Sequence, residues 1–432
     1  MILRIIFLFI ALFPNCIWGQ NEYFQNLVNS AYKNNFYIKS YKEYLNSIKK
    51  NIDIATGNYY PKIDFSYKFI GTKEPSEAAF LKAKQGRLSM GYYYKYMANP
   101  PFVKDHQFII SLLQPIFSKG KIGLSKKQAK LNYEAGELSF KEVKREIKFR
   151  IFKVLINVNK LFENIKIAEN MKKRAEIYLK TIENFYKNGK ALKSDYFYAK
   201  YHLKQAEINL ETLKNTLNKF KFVLKELTGK EFPLKKVNFE ISQKLDIQDL
   251  INFGIENRDD IKAFKNYIKI AEIEIKKRKN NYLPEIYGFA NYEKNSEDFF
   301  DNDKSGYTIG VGIKFNIFNG MIDKNRILQA KYNLMRMKNL LYEKEEALKR
   351  EIRNSYIDFI NAQFTYNSLK KLVNSNKIAL EISEKRFSQG LERITTLVDM
   401  ETNYKNSLYK LNEAKWDMVL KYYTILYKAG KF

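Results

Sequence analysis

Between residues 307 and 317 apolar and polar positions alternate without a break. Tyr307, Ile309, Val311, Ile313, Phe315 and Ile317 fall on one side, and Thr308, Gly310, Gly312, Lys314 and Asn316 on the other. A period of two is what a β-strand with two unlike faces requires. The alternation recurs where Ile63, Phe65, Tyr67 and Phe69 are interleaved with Asp64, Ser66 and Lys68, and more weakly at Tyr287 and Phe289. Four strands are therefore predicted, at about 61–72, 105–117, 285–293 and 307–318, forming two hairpins. The connection inside the first, roughly 72–104, is long and reads as turn or loop, with Tyr92-Tyr93-Tyr94 and Pro100-Pro101. That inside the second, 294–306, is short and rich in Asn, Asp, Ser and Gly.

Elsewhere the period is helical. Helices are predicted over about 22–57, 119–186, 194–227, 247–280, 320–387 and 395–428. Pro61 and Pro284 close the first helix of each set, because proline lacks the backbone donor a helix needs. The stretches 119–186 and 320–387 hold no proline and few glycines. At about 1.5 Å per residue, each would reach on the order of 100 Å. Gly189 and Gly390 then mark a reversal. The returning helix carries Leu203, Ala206, Leu210, Leu213, Leu217, Phe220, Leu224 and Leu227 at alternating intervals of three and four, a heptad seam. Tyr404, Leu411, Ala414, Met418 and Ile425 repeat it less regularly. These helices read as coiled-coil walls.

The two halves are copies. Gln25-Asn26-Leu27-Val28-Asn29 is answered by Gln248-Asp249-Leu250-Ile251-Asn252, and Tyr59-Tyr60-Pro61 by Tyr282-Leu283-Pro284, at an offset of 223. Further on, Ile116-Phe117 pairs with Ile317-Phe318, Gln128-Ala129-Lys130 with Gln329-Ala330-Lys331, and Gly189 with Gly390, at an offset of 201. The offsets 223 and 201 differ by 22, so the first copy carries about 22 extra residues between Pro61 and Ile116. The expected organisation is a first repeat over 20–230, a linker over 231–246 without a counterpart, and a second repeat over 247–432.

Charge and composition narrow the class. Residues 1–19 place one early charge, Arg4, before an apolar run and a small Gly19, the order of a secretory signal peptide. The single cysteine, Cys16, lies inside it, which leaves neither a disulfide framework nor a thiol metal site. No run of 18 apolar residues follows, so no transmembrane helix is expected. The net charge of +29 is spread along the chain, and no nucleic-acid-binding motif accompanies it. No catalytic constellation is visible either, so neither an enzyme nor a cofactor is expected. His106 and His202 are far apart, without metal-ligand spacing, and read as a strand-end and a helix-surface residue. Gly306, Gly310 and Gly312 lie within a strand rather than before a phosphate-binding turn.

Four strands with one apolar face cannot hide that face, and they are too few to close a barrel. Large apolar residues on one side and Asp64, Ser66, Lys68, Gly310, Gly312 and Lys314 on the other match a membrane barrel, apolar to lipid and polar to a lumen, assembled from several chains.

With the order of these elements, the chain resembles the TolC family of outer-membrane efflux proteins over nearly its whole length. Tyr60-Pro61 and Leu283-Pro284 enter the strands, Gln114-Pro115-Ile116-Phe117 and Phe318-Asn319-Gly320 leave them, and Asn257-Arg258-Asp259-Asp260-Ile261 and Arg386-Phe387-Ser388-Gln389-Gly390-Leu391 fit the family's helix motifs. The resemblance implies a mixed α and β membrane protein, a tandem-duplicated helix, β-hairpin, long-helix, helix unit. Its four strands per chain would join a trimeric twelve-stranded outer-membrane β-barrel, continued by a long periplasmic α-helical coiled-coil barrel. It implies a passive conduit that docks to a periplasmic adaptor (membrane fusion) protein and, through it, to an inner-membrane efflux pump or ABC transporter. Gly189, Gly390 and Leu391 then match the periplasmic tip that contacts the adaptor. Asp195, Thr396, Asp399 and Phe387 stand where a constriction would be lined, with Asp195 and Asp399 also suited to capping helix ends and Thr396 with Asp399 to a capping box. Lys190 and Glu392 depart from the family's pattern. The competing expectation is a basic helical scaffold, exported or cytosolic, that binds acidic polymers.

Overall fold

The structure, a computed structural model, describes residues 22–432 except 88, 242–244, 300 and 302–303. The expected signal peptide and Cys16 lie outside the described residues.

One order of elements occurs twice, with two further helices in the first set. The first set is α1 (Glu22–Asn34), α2 (Phe36–Gly57), β1 (Lys62–Thr72), α3 (Pro75–Lys84), α4 (Met90–Ala98), β2 (Val103–Ser118), α5 (Lys121–Lys187) and α6 (Lys193–Thr228). The second is α7 (Ile247–Asn257), α8 (Asp259–Lys279), β3 (Glu285–Ser296), β4 (Ser305–Lys314), α9 (Ile322–Ser388) and α10 (Ile394–Ala429). Both long helices have 67 residues and both returning helices 36.

Four predicted elements come out differently. The opening helices are each broken once, at Asn35 and at Arg258. Asn35 Oδ1 accepts the backbone N–H groups of Tyr37 and Ile38 and so starts α2 as an N-cap. The connection expected to be loop contains α3 and α4. Glu74 caps α3 by accepting from the N–H groups of Ser76 and Glu77, and Pro75 sits in its first turn, where a missing donor costs nothing. Strand β4 ends at Lys314 rather than near 318, because its partner residue Glu285 is the first of β3 and Pro284 before it has no N–H to extend the ladder.

The chain forms two compact units. A helical unit contains residues up to 44, 137–263 and 341–432. Its core gathers Phe24, Leu27, Ile147, Ile151, Phe152, Leu155, Leu224, Ile261, Ile352 and Ile425. Described residues of the stretch expected to be a linker pack into this core: Phe239 stands edge-on to Phe24 and Phe152, and Asn159 exchanges hydrogen bonds of 2.6 and 3.0 Å with the backbone of Val237.

A sheet unit contains residues 45–136 and 264–340. Its four strands lie in the order β1-β2-β3-β4, every pair antiparallel. The β2–β3 ladder carries one irregularity, between Pro115 and Phe117. Proline's missing donor makes that a natural place for a bulge.

Candidate functional site: the two faces of the sheet and the helix reversals

In an antiparallel ladder, opposed residues project from the same face. The register therefore sorts every strand residue. One face carries Phe65, Ile110, Tyr292 and Tyr307 in one row, and Ile63, Leu112, Ala290 and Ile309 in the next. The other carries Asp64, Ser111, Asn291 and Thr308, and beside them Lys68, Gln107 and Asn295. Asp64, Ser66, Lys68, Gly310, Gly312 and Lys314 share this polar face.

The third strand corrects the sequence reading. Tyr287 and Phe289 were expected to form its apolar series, yet they oppose Gly312 and Gly310 and so lie on the polar face. A Cβ at either glycine would stand 2.5 Å from the ring of its partner, so the glycines make room for the two aromatic rings. Ile286, Ala290 and Tyr292 supply the apolar face instead.

That apolar face is bare. Tyr307, Ile309 and Ile313 are 78%, 74% and 70% exposed, and Ile63 and Phe65 are equally uncovered. Each such side chain forgoes about 1.5–3 kcal/mol of burial. Among the described residues the outer edges of β1 and β4 lack strand partners as well, and unpaired strand edges are what sheets join through. Where the hairpins turn, the apolar face ends in an aromatic group. The Tyr67 hydroxyl is 2.8 Å from His106 Nδ1, and the His106 ring lies near those of Phe69 and Phe299.

In the helical unit the two reversals are built alike. Gly189 and Gly390 have φ of 72° and 74°. In each, the glycine N–H bonds back to the carbonyl of Tyr186 or Phe387, and the next N–H to that of Phe185 or Arg386. This is a Schellman closure, which glycine adopts without a Cβ clash. Behind the reversals Tyr178, Ile182, Ala199, Leu380, Ile394, Leu397 and Val398 form a small core.

The candidate tip residues take different places. Leu391 is exposed. Asp195 is half-buried and accepts the N–H of Leu192 at 3.3 Å, which caps α6. Thr396 and Asp399 are exposed on the first turns of α10. Because α10 starts at Ile394 with Arg393 in the cap position, the expected Thr396–Asp399 capping box does not form. Phe387 is 4% exposed and packs against Tyr178 and Phe185, so within this chain it supports the reversal from inside. Glu392 is held inside its own hairpin by Ser383 Oγ at 2.8 Å and Arg386 Nε at 3.2 Å.

Two polar clusters behind the tips went unread in the sequence. Glu384 accepts from the Tyr178 hydroxyl at 2.5 Å and is paired with Arg174. Burial first, then this bond and the charge of Glu401, push the Tyr178 phenol far above its usual range. His202 is no surface residue: its Nε2 lies 2.5 Å from Oε2 of Glu401, which is almost fully buried. Such partners are many residues apart in the chain, so no local spacing announces them. Among the described residues no group of three or more His, Cys, Asp or Glu side chains is placed to hold a metal ion, and no helix is long and apolar enough to cross a membrane.

Comparison with known proteins gives this arrangement a family. The chain is 21% identical over 237 residues to the outer membrane protein TolC of Salmonella enteritidis, a match over 51% of this chain and 48% of that protein. The chain thus spans about half the length of the curated relatives it matches. Among solved structures, the outer membrane protein VceC of Vibrio cholerae superposes with a TM-score of 0.74 at 15% identity, over 94% of this chain and 96% of that one. The Campylobacter jejuni CmeC outer membrane channel superposes with a TM-score of 0.76 at 15% identity, over 95% and 86%. The model of the outer membrane efflux protein family matches residues 27–230 and 250–425, and the chain belongs to that family.

Proposed function

We propose that three copies of this chain assemble in the outer membrane into a twelve-stranded barrel, lipid-facing through the bare apolar face and lumen-lining through the polar one. The observation that carries this is the one-sided sheet. Among the described residues nothing covers its apolar face and no strand pairs with either outer edge, and joining neighbouring sheets within lipid satisfies face and edges together. An acidic-polymer scaffold would leave that face against water.

The assembly is a passive conduit, the outer-membrane channel of a tripartite efflux or type I secretion system. Asp64, Ser66, Lys68, Gly310, Gly312 and Lys314 line the barrel lumen, and the long helices continue the passage across the periplasm. The reversals at Gly189, Gly390 and Leu391 meet a periplasmic adaptor protein, through which an inner-membrane pump or ABC transporter supplies energy. Asp195, Thr396 and Asp399 line the narrow end; Phe387, buried in its own chain, does not.

The test is extraction and reconstitution. The protein is expected to need detergent, to run as a trimer, and to form ion-conducting channels in planar lipid bilayers. A monomer that stays dissolved in plain buffer would overturn the proposal.

A further inference from the structure

The insertion in the first hairpin has no counterpart in the second, and it does not extend away from the sheet. Ile70 and Val103, which the register assigns to the polar face, join Ala78, Ala79, Leu81 and Tyr96 of α3 and α4 in a closed apolar cluster. Polar links extend the same contact. Gln85 Nε2 donates to Asp105 Oδ1 at 2.9 Å and to the Lys104 carbonyl at 2.7 Å. Lys84 Nζ reaches Glu293 at 2.7 Å, and Gln107 donates to the same carboxylate at 2.5 Å. Lys82 and Arg87 both bind Glu297, at 2.7 and 2.6 Å, beside the turn of the second hairpin. Asp105, Gln107 and Glu293 all belong to the polar face. The insertion therefore lies on the polar side of the sheet, at the end where both hairpins turn.

We propose that α3 and α4 form an inward-folded constriction at the outer end of the conduit, which sets the size of what passes there. This rests on reading the polar face as the lumen wall. With one insertion per chain, three would ring the opening of a trimer.

The seat is one that can be left. Gln85 Oε1 of the insertion, and Asp105 Oδ2 and Asn295 Oδ1 of the polar face, are buried without a hydrogen-bond partner among the described residues. Burying an unpaired polar atom is unfavourable, and a partly satisfied network is worse than a complete one. Release to water would hydrate these atoms, so ion pairs and the small apolar cluster hold the insertion against a standing cost. The second hairpin has only residues 297–304 between its strands.

The experiment measures access from outside intact cells. In a Cys16→Ala background, which removes the single native cysteine, Ser111→Cys places one thiol in the polar row with Asp64, Asn291 and Thr308. Membrane-impermeant maleimides of graded polyethylene glycol length are added to the cells. The shortest reagent is expected to label the thiol in every variant. Replacing residues 73–102 by the connection 297–304 is expected to raise the labelling rate of the longer reagents on the order of tenfold, since passage depends on bore. Lys84→Glu, which sets a carboxylate against Glu293, is expected to shift the length limit in the same direction. Combining it with Glu293→Lys restores the original limit. An unchanged limit in both the replacement and the Lys84→Glu variant would overturn the constriction, while absence of labelling by the shortest reagent would overturn the channel reading itself.

Discussion

In the long and returning helices the two repeats agree to the residue, and in the hairpins they do not. Helices α9 and α10 begin and end 201 positions after α5 and α6, whereas the hairpin connections run over 73–102 in one copy and 297–304 in the other. Wall helices packed along heptad seams cannot gain or lose a residue without turning every later side chain off its seam. A connection past the end of a strand has no neighbour to keep pace with, and diverges freely. Equal lengths mark where the copies are bound to a common geometry; unequal ones mark where this chain was free to add something of its own.

The same comparison shows one job done by two chemistries. At the break in the first opening helix, Asn35 Nδ2 donates to the Leu227 carbonyl at 2.9 Å. At the corresponding break, Arg258 Nη1 donates to the Lys428 carbonyl at 2.9 Å, and its Nε and Nη2 grip Asp260 in two bonds of 2.8 Å. Both tie an opening helix to the last turn of the returning one. The arginine motif singled out in the sequence is thus a structural clasp.

Breaking the two clasps should separate the copies most. Arg258→Ala leaves the partly buried Asp260 with only Lys344 at 3.1 Å and the Ile261 N–H at 3.0 Å and is expected to cost about 3–5 kcal/mol. Asn35→Ala loses a cap and one neutral bond, about 1–2 kcal/mol. Thermal unfolding of the detergent-solubilised protein checks the order. Only the second clasp depends on pH. Burial works to raise the Asp260 pKa, but the bonds and charges of Arg258 and Lys344 outweigh it and hold the carboxyl below its usual range. A depressed carboxyl contributes stability above its unfolded value of about 3.9, and that stability is lost as pH falls through the folded value. The difference between wild type and Arg258→Ala should therefore shrink in acid, and that for Asn35→Ala should not.

A smaller contrast lies in the sheet. At Gly310 a new Cβ would stand 2.5 Å from the Phe289 ring, while at Gly306 nothing lies within 4 Å. Gly310→Ala is expected to cost about 1–3 kcal/mol through the displaced ring, and Gly306→Ala to stay within about 0.5 kcal/mol. Equal losses in heat stability would mean that the rings do not rest on the glycines.

How much of this was legible follows from the range of each interaction. Alternation at 307–313 and at 63–69 revealed strands, and the spacing between Leu203 and Leu227 a wall helix, because period is a local property. The duplication even fixed the size of the insertion. Its folding was not legible: α3 is started by Glu74 and seated by Glu293 and Glu297, and only the first of these is near in sequence. The faces of β3 were misassigned for a related reason. Tyr287 and Phe289 look like an apolar series until the glycines opposite them are known, and those belong to another strand. His202 looked like surface because Glu401 is 199 residues away.

The joint between hairpin and long helix gives a sharper test. Each copy sets two successive residues there in the left-handed region, Lys119 and Gly120 with φ of 58° and 67°, and Gly320 and Met321 with φ of 65° and 65°. Each uses glycine only once, and at opposite positions. The other residue bears a Cβ in a conformation that costs about 1–2 kcal/mol. Met321→Gly is expected to raise stability by about 0.5–1 kcal/mol. Lys119→Gly gains less, because it gives up the bond from Lys119 Nζ to the Asn281 carbonyl at 3.2 Å.

The smallest effect on stability, and the most informative about transport, belongs to the aspartates of the tips. Asp195 caps α6 through the N–H of Leu192, so Asp195→Asn is expected to cost at most about 0.5 kcal/mol, because asparagine caps nearly as well. Asp399 makes no cap contact of that kind: α10 begins at Ile394 with no side-chain cap bond. Asp399→Asn should leave stability unchanged. If both carboxylates face the narrow end of the conduit, single-channel recordings should show each substitution lowering cation selectivity, and the pair lowering it further. Unchanged selectivity with Asp195→Asn alone would make the first aspartate a cap only. Unchanged selectivity with both replaced would move the constriction away from these turns, and with it the part of the proposal that sets the narrow end there.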